Sequence, residues 1–547
     1  MKRGYIRVGK RYVHYRRAGH GAPVVLLHAS PVSSAMFLEQ LEVYARHFDA
    51  IAIDTPGYGL STPLDHPAPE VADFADAVVE TLDALGIDRC ILYGRHTGAS
   101  IAVETGRRHP HRVALALCDG YPVFTPGESD RYLTQYLVPV APCWDGGHLS
   151  FWWLRYRDQH VFWPWDIQDS DHRADADLPD VDFLHRGFTQ IMMAGDGYRT
   201  AYAAAFRHDS IAALQETKAP VMLTARPGDS LYEAFADTPP LHEKRELPRD
   251  TIMAAQAEVS IMKQVHGLAD VQTPRAEKWQ NAVAGTRAML AAGAGSLHVR
   301  VFGAPDGRAP IIAIAPLPGG FGMVEKAFDE IGRFWPVLAI EAPGQSDSET
   351  GDPGSIETSA TWIGQALRDY DCPVHCVLGW EGSSAIAVEI GAASDAPVFL
   401  VDPPAVVSDV REKFAEAYTA DLTPHVDGRH VPVAWSLARD ERLWSPFYDR
   451  TRDAMLPATS GLEPELLHAH VVDLLKQPSM VSRAFAQLWQ YPLAETLMQR
   501  SAMTTTFATP QDRFTRLCID SIVRCEIPDR YGIGAVISDR LAQKVRT

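Results

Sequence analysis

His96 and Glu381 occupy matching places in two similar segments of the chain, and both side chains could do chemistry. His96 lies within Gly-Arg-His-Thr-Gly at 94–98, and Glu381 lies within Gly-Trp-Glu-Gly-Ser at 379–383. An imidazole titrates near neutral pH, so His96 could act as a general acid or base, or attack an acyl group directly. The alternative is that His96 only hydrogen-bonds across a filled pocket. We favour a chemical role for His96 and a binding or structural role for Glu381.

Metal and cofactor chemistry has no motif in this sequence. The seven cysteines are scattered, and the closest pairs, 372/376 and 518/525, lack a second ligand pair at zinc spacing. Gly57-Tyr58-Gly59 lacks the third glycine of a dinucleotide fingerprint, and neither a P-loop nor H-E-x-x-H occurs. We therefore predict no metal and no cofactor. Scattered thiols, with no apolar stretch near the first residue that would make a secretory signal, predict a cytoplasmic protein.

The composition is that of a folded enzyme or binding protein rather than of a nucleic-acid or membrane protein. The 547 residues are 46% hydrophobic and 22% charged, which favours two or more globular domains. With 51 basic and 69 acidic residues, the net charge of −18 would repel phosphate backbones and anionic lipid surfaces. No apolar run is long enough to span a membrane. The expected partner is a small-molecule substrate or ligand.

The chain repeats itself. Residues 93–104 align without a gap with 378–389, and 52–57 align with 339–344. The following residues match at nearly the same offset: His148 with His430, Arg157 with Arg439, Asp158 with Asp440, His185 with His468, and Asp229 with Asp512. Matches in one order at a near-constant offset indicate a duplicated unit. We expect the two units to form an intramolecular pseudo-dimer.

The domain boundaries follow from the repeat. Residues 291–296, Ala-Ala-Gly-Ala-Gly-Ser, are small and read as a flexible linker. We predict a first unit at 1–285, a linker at 286–297 and a second, more divergent unit at 298–547.

Each unit alternates apolar strands with helices. The continuous apolar runs at 24–27, 50–53, 90–93, 113–117 and 311–314 predict strands covered on both faces, as in parallel sheets. Apolar residues at helical spacing predict a helix over 71–85. The fold class is therefore α/β, with two tandem units, each a mostly parallel sheet flanked by helices. Active sites in such folds lie at the carboxyl ends of the strands.

An ordered set of motifs in the first unit resembles the α/β-hydrolase family. Leu-Leu-His-Ala-Ser-Pro at 26–31 is similar to the family's oxyanion loop, and Asp-Thr-Pro-Gly-Tyr-Gly-Leu-Ser at 54–61 is similar to its "DxxGxGxS" loop. The 94–98 segment is similar to the nucleophile elbow, and Asp229 follows a late apolar run at 221–224, where the family places its triad acid. The resemblance implies helical caps at about 122–215 and 405–495.

The elbow departs from the family pattern, because it carries His96 where the family carries a serine. No histidine follows His470 in the second unit, and in the first only His242 and His266 follow Asp229, at positions that do not fit a triad base. A Ser-His-Asp mechanism is therefore excluded at the elbow. The resemblance implies an oxyanion hole from the N–H of Thr97 and of Ala29 or Ser30, in a pocket framed by His28 and Gly98.

The predicted cap of the first unit supplies further candidate pocket residues. Arg157 could clamp a carboxylate, although we favour an internal ion pair with Asp158 that holds the cap. The full set of cap candidates is Arg157, Asp158, His160, Trp163 and His185. In the second unit the equivalents of His96 and Asp229 are Glu381 and Asp512.

Two functions of different classes fit these residues. The first is an enzyme that acts on a small, largely apolar carbonyl or ester compound, by hydrolysis or as a lyase or isomerase, with His96 as base or nucleophile. The second is a non-catalytic relative that binds a small molecule or serves as a scaffold. We lean towards the enzyme, because His28, Gly57, Gly59 and Asp229 would still frame one pocket.

Overall fold

The computed structural model describes residues 1–271, 278–456, 461–509, 512, 524–526, 535–537 and 539–540. The chain divides into two compact units. The first contains Met1–Ala141 and Phe151–Arg275, and the second contains Pro142–Ser150 and Ala276–Thr547.

The first unit is built on an eight-stranded sheet. Its strands are β1 (Lys2–Val8), β2 (Arg11–Gly19), β3 (Pro23–Leu27), β4 (Asp49–Ile53), β5 (Cys90–Arg95), β6 (Val113–Asp119), β7 (Val221–Ala225) and β8 (Glu243–Glu246). They lie in the order β1-β2-β4-β3-β5-β6-β7-β8. β2 is antiparallel to both of its neighbours, and every other pairing is parallel. β3, β4, β6 and β7 are buried along their whole length, which matches their continuous apolar sequences.

Ten α-helices belong to this half of the sequence among the described residues. They are α1 (Leu38–Tyr44), α2 (Val71–Leu85), α3 (Thr97–Arg108), α4 (Pro126–Arg131), α5 (Gly147–Asp158), α6 (Val181–Ala194), α7 (Tyr198–Arg207), α8 (Ser210–Glu216), α9 (Ala234–Asp237) and α10 (Thr251–Met262). α2 begins at a capping box formed by Glu70 and Asp73, and it ends at Gly86, whose positive φ of 71° suits only glycine well. Helices α4 to α8 lie between β6 and β7.

The second unit repeats this plan. Its strands are β9 (Arg287–Ala292), β10 (Gly295–Phe302), β11 (Ile311–Ile314), β12 (Val337–Ile340), β13 (Cys376–Trp380), β14 (Val398–Val401), β15 (Thr504–Ala508) and β16 (Arg524–Glu526). Their order, read from β9, is β9-β10-β12-β11-β13-β14-β15-β16, which is the order of the first sheet strand for strand. The directions also agree, because β10 is antiparallel to both neighbours. The two tandem units predicted from the sequence are thus confirmed.

The helices of the second unit follow the same pattern. They are α11 (Glu325–Gly332), α12 (Ile356–Asp369), α13 (Ser384–Ser394), α14 (Ser408–Ala417), α15 (His430–Asp440), α16 (Pro464–Lys476), α17 (Pro478–Gln490) and α18 (Leu493–Gln499). Helices α14 to α18 lie between β14 and β15. No helix among the described residues is long and apolar enough to cross a membrane.

The linker predicted at 286–297 is wrong. These residues form β9 and the start of β10, and the Gly293 backbone at φ 55° makes the turn between them. The division between units falls instead at Arg275/Ala276. Small residues suit a tight hairpin turn as well as a flexible linker, so their composition alone could not separate the two structures. The predicted strands and the helix over 71–85 are confirmed.

Candidate functional site

The elbow between β5 and α3 holds His96 in a strained backbone conformation. Its φ of 48° and ψ of −114° lie outside the regions that side-chain-bearing residues ordinarily adopt. Glu381, between β13 and α13, also has a positive φ, at 51°. Both residues therefore sit on a sharp turn at the carboxyl end of a central strand, as the sequence predicted.

Close packing beneath the turn explains the glycine at position 98. A Cβ atom there would lie 2.0 Å from the carbonyl oxygen of Leu27 at the end of β3. Gly98 therefore lets α3 approach β3 directly, and its role is to position the elbow rather than to line a pocket.

The imidazole of His96 is hydrogen-bonded to Asp229. Its Nε2 atom lies 2.9 Å from Oδ1 and 3.0 Å from Oδ2 of the carboxylate. An ionised carboxylate only accepts hydrogen bonds, so Nε2 carries the proton and Nδ1 carries the lone pair in the neutral ring. The His96 side chain is 22% exposed, whereas that of Asp229 is 7% exposed. The ring can therefore meet a substrate while its carboxylate partner stays covered.

Asp229 is held as an anion. Burial would raise its pKa, but the charges of His96 and Arg95 and the hydrogen bonds from His96 and the Leu231 N–H together lower its pKa far below the usual range. Arg95 Nη2 donates to Asp229 Oδ2 at 2.7 Å. A permanently ionised Asp229 fixes the tautomer and the orientation of His96, as second partners of functional histidines commonly do.

Behind Asp229 runs a buried chain of alternating charges that the sequence did not reveal. Arg95 Nη1 donates to Asp119 Oδ2 at 2.9 Å, and Arg226 lies 3.0 Å from the same oxygen. Arg226 also donates to Glu258 Oε1 at 2.9 Å. Asp119 ends β6 at the carboxyl edge of the sheet, which is the one sequence signal that could have marked it.

Gly120, directly after β6, makes room for this pairing. A Cβ atom at this position would lie 2.6 Å from Cδ2 and 2.8 Å from Nε2 of His96, and 3.2 Å from Oδ1 of Asp229. The Gly120 backbone also has a positive φ of 61°. Both the space and the backbone thus require glycine, another residue that the sequence did not single out.

The predicted oxyanion donors are only partly available. The Thr97 N–H opens α3 and has no acceptor among the described residues, as expected for the first turn of a helix. The Ala29 N–H, in contrast, points to Met36 Sδ at 3.3 Å, so Ala29 is excluded as a donor. The N–H of Ser30, whose hydroxyl accepts a hydrogen bond from Tyr58, remains the second candidate.

His28 ties loops together rather than facing a pocket. Its Nδ1 donates to the Ala29 carbonyl at 2.9 Å, and its Nε2 accepts from the N–H of Thr55 at 3.0 Å. Burial lowers the pKa of His28, so the ring is neutral. His28 therefore holds the 26–31 and 54–61 loops together, and the pocket role predicted for it is wrong.

Above the elbow the cap presents positive and hydrogen-bonding groups. The Nε2 atom of His160, just past α5, is buried without a partner among the described residues. Burial, Arg155 and Arg95 lower the pKa of His160 to about 4, while Asp229 opposes them. The imidazole is therefore close enough to both arginines and to Asp229 to feel their charges.

Arg155 is a buried cation with no carboxylate in ion-pair range among the described residues. Its side chain is 2% exposed, and Nε and Nη2 lack hydrogen-bond partners. The guanidinium lies over the rings of Tyr136, Trp152 and Trp165, 5.0–5.2 Å from their centroids. These cation–π contacts offset part of its desolvation.

The ion pair predicted between Arg157 and Asp158 does not form. Asp158 accepts instead from Gln168, and the Nε of Arg157 is buried without a described partner. In the second unit Asp440 pairs with Arg450, not with Arg439. Consecutive helical residues point in different directions, so a neighbouring pair in sequence seldom meets.

Four further residues named in the sequence analysis lie in the first unit. Trp163 packs against Tyr132 and Tyr136 in the cap core, and His185 is buried on α6. His242 donates to the Leu214 carbonyl, and His266 is exposed beyond the end of α10. Leu-Pro-Arg-Asp at 247–250, where the family pattern places a triad histidine, starts directly after β8 and contains no histidine. The corresponding residues 527–530 of the second unit lie outside the described residues.

In the second unit, the residues at the positions equivalent to Arg95, His96 and Asp229 have different partners. Arg442 Nη1 donates to Glu381 Oε1 at 3.2 Å, and both side chains are buried. Trp380, fully buried, stands where the first unit has Arg95. The Asp512 N–H donates to the Thr509 carbonyl, as the Asp229 N–H donates to that of Arg226, which supports their equivalence.

One cluster among the described residues has the donor set of a metal site. His298, Glu341 and Asp347 are buried with ligand atoms within 4.8 Å of one another. The Lys476 ammonium already lies 2.8 Å from Asp347. The equivalent pair in the first unit, His14 and Asp54, is joined directly at 2.8 Å. In the first unit Asp54 thus holds the loop after β4 in place, and in the second unit Glu341 and Asp347 hold the loop after β12.

Comparison with known proteins agrees with this geometry. The family described as "alpha/beta hydrolase fold" matches residues 22–137. A putative non-heme haloperoxidase of Mycobacterium phage D29 is 41% identical over 18% of this chain and 36% of its own length. An (E)-2-((N-methylformamido)methylene)succinate hydrolase of Acinetobacter baylyi is 31% identical over 20% of this chain and 42% of its own length. The chain thus spans less than half the length of these relatives.

Among solved structures, an E-2-(acetamidomethylene)succinate hydrolase has a TM-score of 0.38 and 17% identity, covering 48% of this chain and 97% of its own. Residues 22–137 of the first unit match the α/β-hydrolase fold, and the second unit repeats the strand order and the strained elbow of the first.

Proposed function

We propose that the first unit is a hydrolase in which His96 acts as a general base on water. The observation that carries this proposal is the bond from His96 Nε2 to the buried Asp229 anion. It leaves Nδ1 as the basic nitrogen on a partly exposed ring. The base removes a proton from water as the oxygen attacks a carbonyl carbon, and the N–H groups of Thr97 and Ser30 stabilise the oxyanion. When the oxyanion collapses, the bond from the carbonyl carbon to the leaving group breaks, and the protonated His96 returns its proton to that group.

The same base could instead remove a proton from carbon beside a carbonyl, as a lyase or isomerase does. We favour hydrolysis because a relative of the first unit is named a hydrolase. Hydrolysis carries the oxygen of the attacking water into the product, whereas proton transfer on carbon does not, so isotope labelling distinguishes the two reactions.

The substrate we propose is a small carbonyl or ester compound that carries a carboxylate. This revises the largely apolar compound expected from the sequence. His160 Nε2 lacks a partner, and Arg155 is a buried cation without a carboxylate among the described residues. A substrate carboxylate would satisfy the first and offset the charge of the second.

The first experiment is untargeted mass spectrometry of a metabolite extract incubated with the wild type, with His96→Ala and with His47→Ala. His47 is an exposed histidine of the same unit and serves as the matched control. We expect a carboxylate-bearing metabolite to be consumed by the wild type and by His47→Ala only. A turnover that survives His96→Ala would refute the role of His96.

Repeating the incubation in ¹⁸O-labelled water separates the reaction classes. A hydrolase incorporates one labelled oxygen into the product, whereas an isomerase incorporates none. Metabolites retained on the protein but never converted would favour the non-catalytic binding protein instead.

A further inference from the structure

The hairpin at the edge of the first sheet carries a concentrated positive charge. Residues 2–19, which form β1, β2 and the turn between them, include seven basic residues and no acidic one. The whole chain, in contrast, has a net charge of −18. The basic residues are Lys2, Arg3, Arg7, Lys10, Arg11, Arg16 and Arg17. A local excess of cations attracts anionic groups even where the molecule as a whole repels them.

Three of these cations are available to a partner. Lys2, Arg7 and Lys10 are exposed, and none of them has a carboxylate in ion-pair range among the described residues. Arg11, in contrast, is paired with Glu80 of α2. The unpaired positive charge therefore lies at the start of β1 and around the turn that follows it.

β1 is also an open edge of the sheet. It pairs with β2 and with no other strand in the described part of the chain. Alternate backbone N–H and C=O groups along its seven residues therefore face outward, away from the sheet. The backbone of another polypeptide can bond to these groups in a regular ladder, which a nucleic acid or a lipid cannot do.

The register of the hairpin sets which charges an added strand would meet. Val8 lies opposite Arg11, which bonds to α2, so the face of β1 that contains Val8 is the face towards α2. Arg3, Tyr5 and Arg7 alternate with that face and lie on the other one. Arg3 and Arg7 are four residues apart, or about 13 Å along the strand. An added strand with acidic residues at alternate positions would place its carboxylates along this row.

The second unit shows that the fold itself does not require this charge. β9 and β10 form the equivalent hairpin at the corresponding edge of the second sheet. Residues 287–302 contain two basic residues and no acidic one, and one of the two, Arg300, is paired with Glu325. Charged side chains can protect an edge strand from aggregation, but β9 needs that protection as much as β1 does. The greater charge at β1 therefore indicates an additional role.

We propose that β1 is a docking edge for an extended acidic segment of a partner protein, which adds to the sheet as a further strand. The backbone of the segment bonds to the outer edge of β1, and its carboxylates lie beside the cations of the hairpin. The net charge of −18 favours a short acidic segment over a nucleic acid, because a longer polyanion would extend beyond the hairpin over an acidic surface. The edge uses no residue of the proposed mechanism, so it does not depend on the proposed function.

Four fluorescently labelled probes test the chemistry of the partner by anisotropy titration of the full chain. They are the peptide Glu-Val-Glu-Val-Glu-Val-Glu, the same peptide with proline as its central residue, the basic peptide Lys-Val-Lys-Val-Lys-Val-Lys, and an eight-nucleotide oligothymidylate. Proline cannot donate to a ladder, so the second peptide keeps the charge but loses backbone bonding. We expect the first peptide to bind at least tenfold more tightly than the other three. Failure of that peptide to saturate, or equal binding by any other probe, would overturn the proposal.

Arg7→Glu/Lys10→Glu tests the hairpin itself. The matched control is Arg89→Glu/Lys218→Glu, which makes the same change in net charge at exposed residues before β5 and β7, at least four strands from β1 in the sheet. Both variants change exposed side chains and should keep the wild-type melting temperature. We expect the dissociation constant of the acidic peptide to rise at least tenfold in the first variant and less than threefold in the control. An equal rise in both would mean that net charge alone governs binding, and the proposal would fail.

Hydrogen–deuterium exchange locates the bound peptide. Amide exchange in residues 2–8 should slow when the acidic peptide saturates the protein, because outward N–H groups of β1 become bonded. Exchange in β9, the equivalent edge of the second unit, should stay unchanged. Unaltered exchange in residues 2–8 at saturation would show that the peptide binds elsewhere and would overturn the proposal.

Discussion

Nε2 of His96 lies 2.9 Å from one oxygen of Asp229 and 3.0 Å from the other, so one N–H is shared between both oxygens of a buried carboxylate. In the fold's usual elbow the residue at this turn is a serine, which needs a separate base. Here the residue on the turn is itself a base and is already oriented by an acid. His96 and Asp229 therefore correspond to the histidine and the acid of a triad, without a separate serine.

Asp229→Asn should abolish most turnover while the ring stays in place. The amide can offer its NH₂ to Nε2, which would favour the tautomer with the proton on Nδ1 and so remove the base. We expect kcat to fall by about 10²–10⁴-fold, the usual range for loss of general-base catalysis. Steady-state kinetics on the substrate found by mass spectrometry measures this, and a fall of less than threefold would contradict it.

Gly120→Ala should displace the His96 ring. A methyl group 2.6 Å from Cδ2 must push the imidazole away, and a displacement of about 1 Å can cost about 10²-fold in rate. Gly127→Ala is the matched control, because a Cβ atom there meets nothing within 4 Å. Comparable activity in the two alanine variants would show that the position of the ring is not limiting.

Arg226→Leu should destabilise the first unit strongly. It leaves Asp119 and Glu258 buried next to each other without their shared cation, and breaking such a network typically costs about 3–5 kcal/mol. Arg249→Ala, which removes an exposed pair with Asp175, should cost no more than about 0.5 kcal/mol. Urea unfolding followed by tryptophan fluorescence compares them, and equal midpoints would rule out a structural role for the chain of charges.

Acid should destabilise the protein from about pH 6.5 downward. Burial lowers the pKa of His148 and of His160 to about 4, below the value of about 6.5 for an unfolded chain. Between these values the unfolded chain binds more protons, so their contribution to stability is complete above pH 6.5 and is lost as the pH falls towards 4. We expect the melting temperature to drop by several degrees between pH 7 and pH 4.5.

The His160→Asn variant measures how much His160 contributes to the drop in melting temperature at acid pH. Its melting temperature should fall less steeply over the same pH range, because one of the neutral buried imidazoles is gone. His425→Asn removes an exposed imidazole and should keep the wild-type slope. Parallel curves for His160→Asn and the wild type would mean that His160 does not contribute.

A fluorophosphonate probe for activated serines should leave the protein unlabelled. His96 and Glu381 stand at the two elbow positions, so neither turn offers a serine hydroxyl. Intact-mass spectrometry after incubation checks this, with a serine hydrolase as the positive control. A stoichiometric adduct on any serine would mean that a different nucleophile drives the reaction.

The sequence determined the architecture. Periodic apolar runs predicted the central strands and the helix over 71–85, and the repeated motifs predicted two units and both elbows, because burial pattern and turn chemistry are local properties. The errors arose because the predictions used only local sequence. The 291–296 segment reads alike as linker and as hairpin, and Arg157 and Asp158 are neighbours in sequence but not partners in space.

The tertiary structure decided which charges meet. Arg95, Asp119 and Arg226 end or follow three different strands, and Arg442 donates to Glu381 from a position 61 residues further along the chain. No spacing rule joins such residues, since their distances depend on how strands order in the sheet and where the cap helices fold back. The sequence could therefore name His96 and Asp229 by their positions in the fold. The arrangement of buried charges that holds Asp229 exists only once the chain has folded.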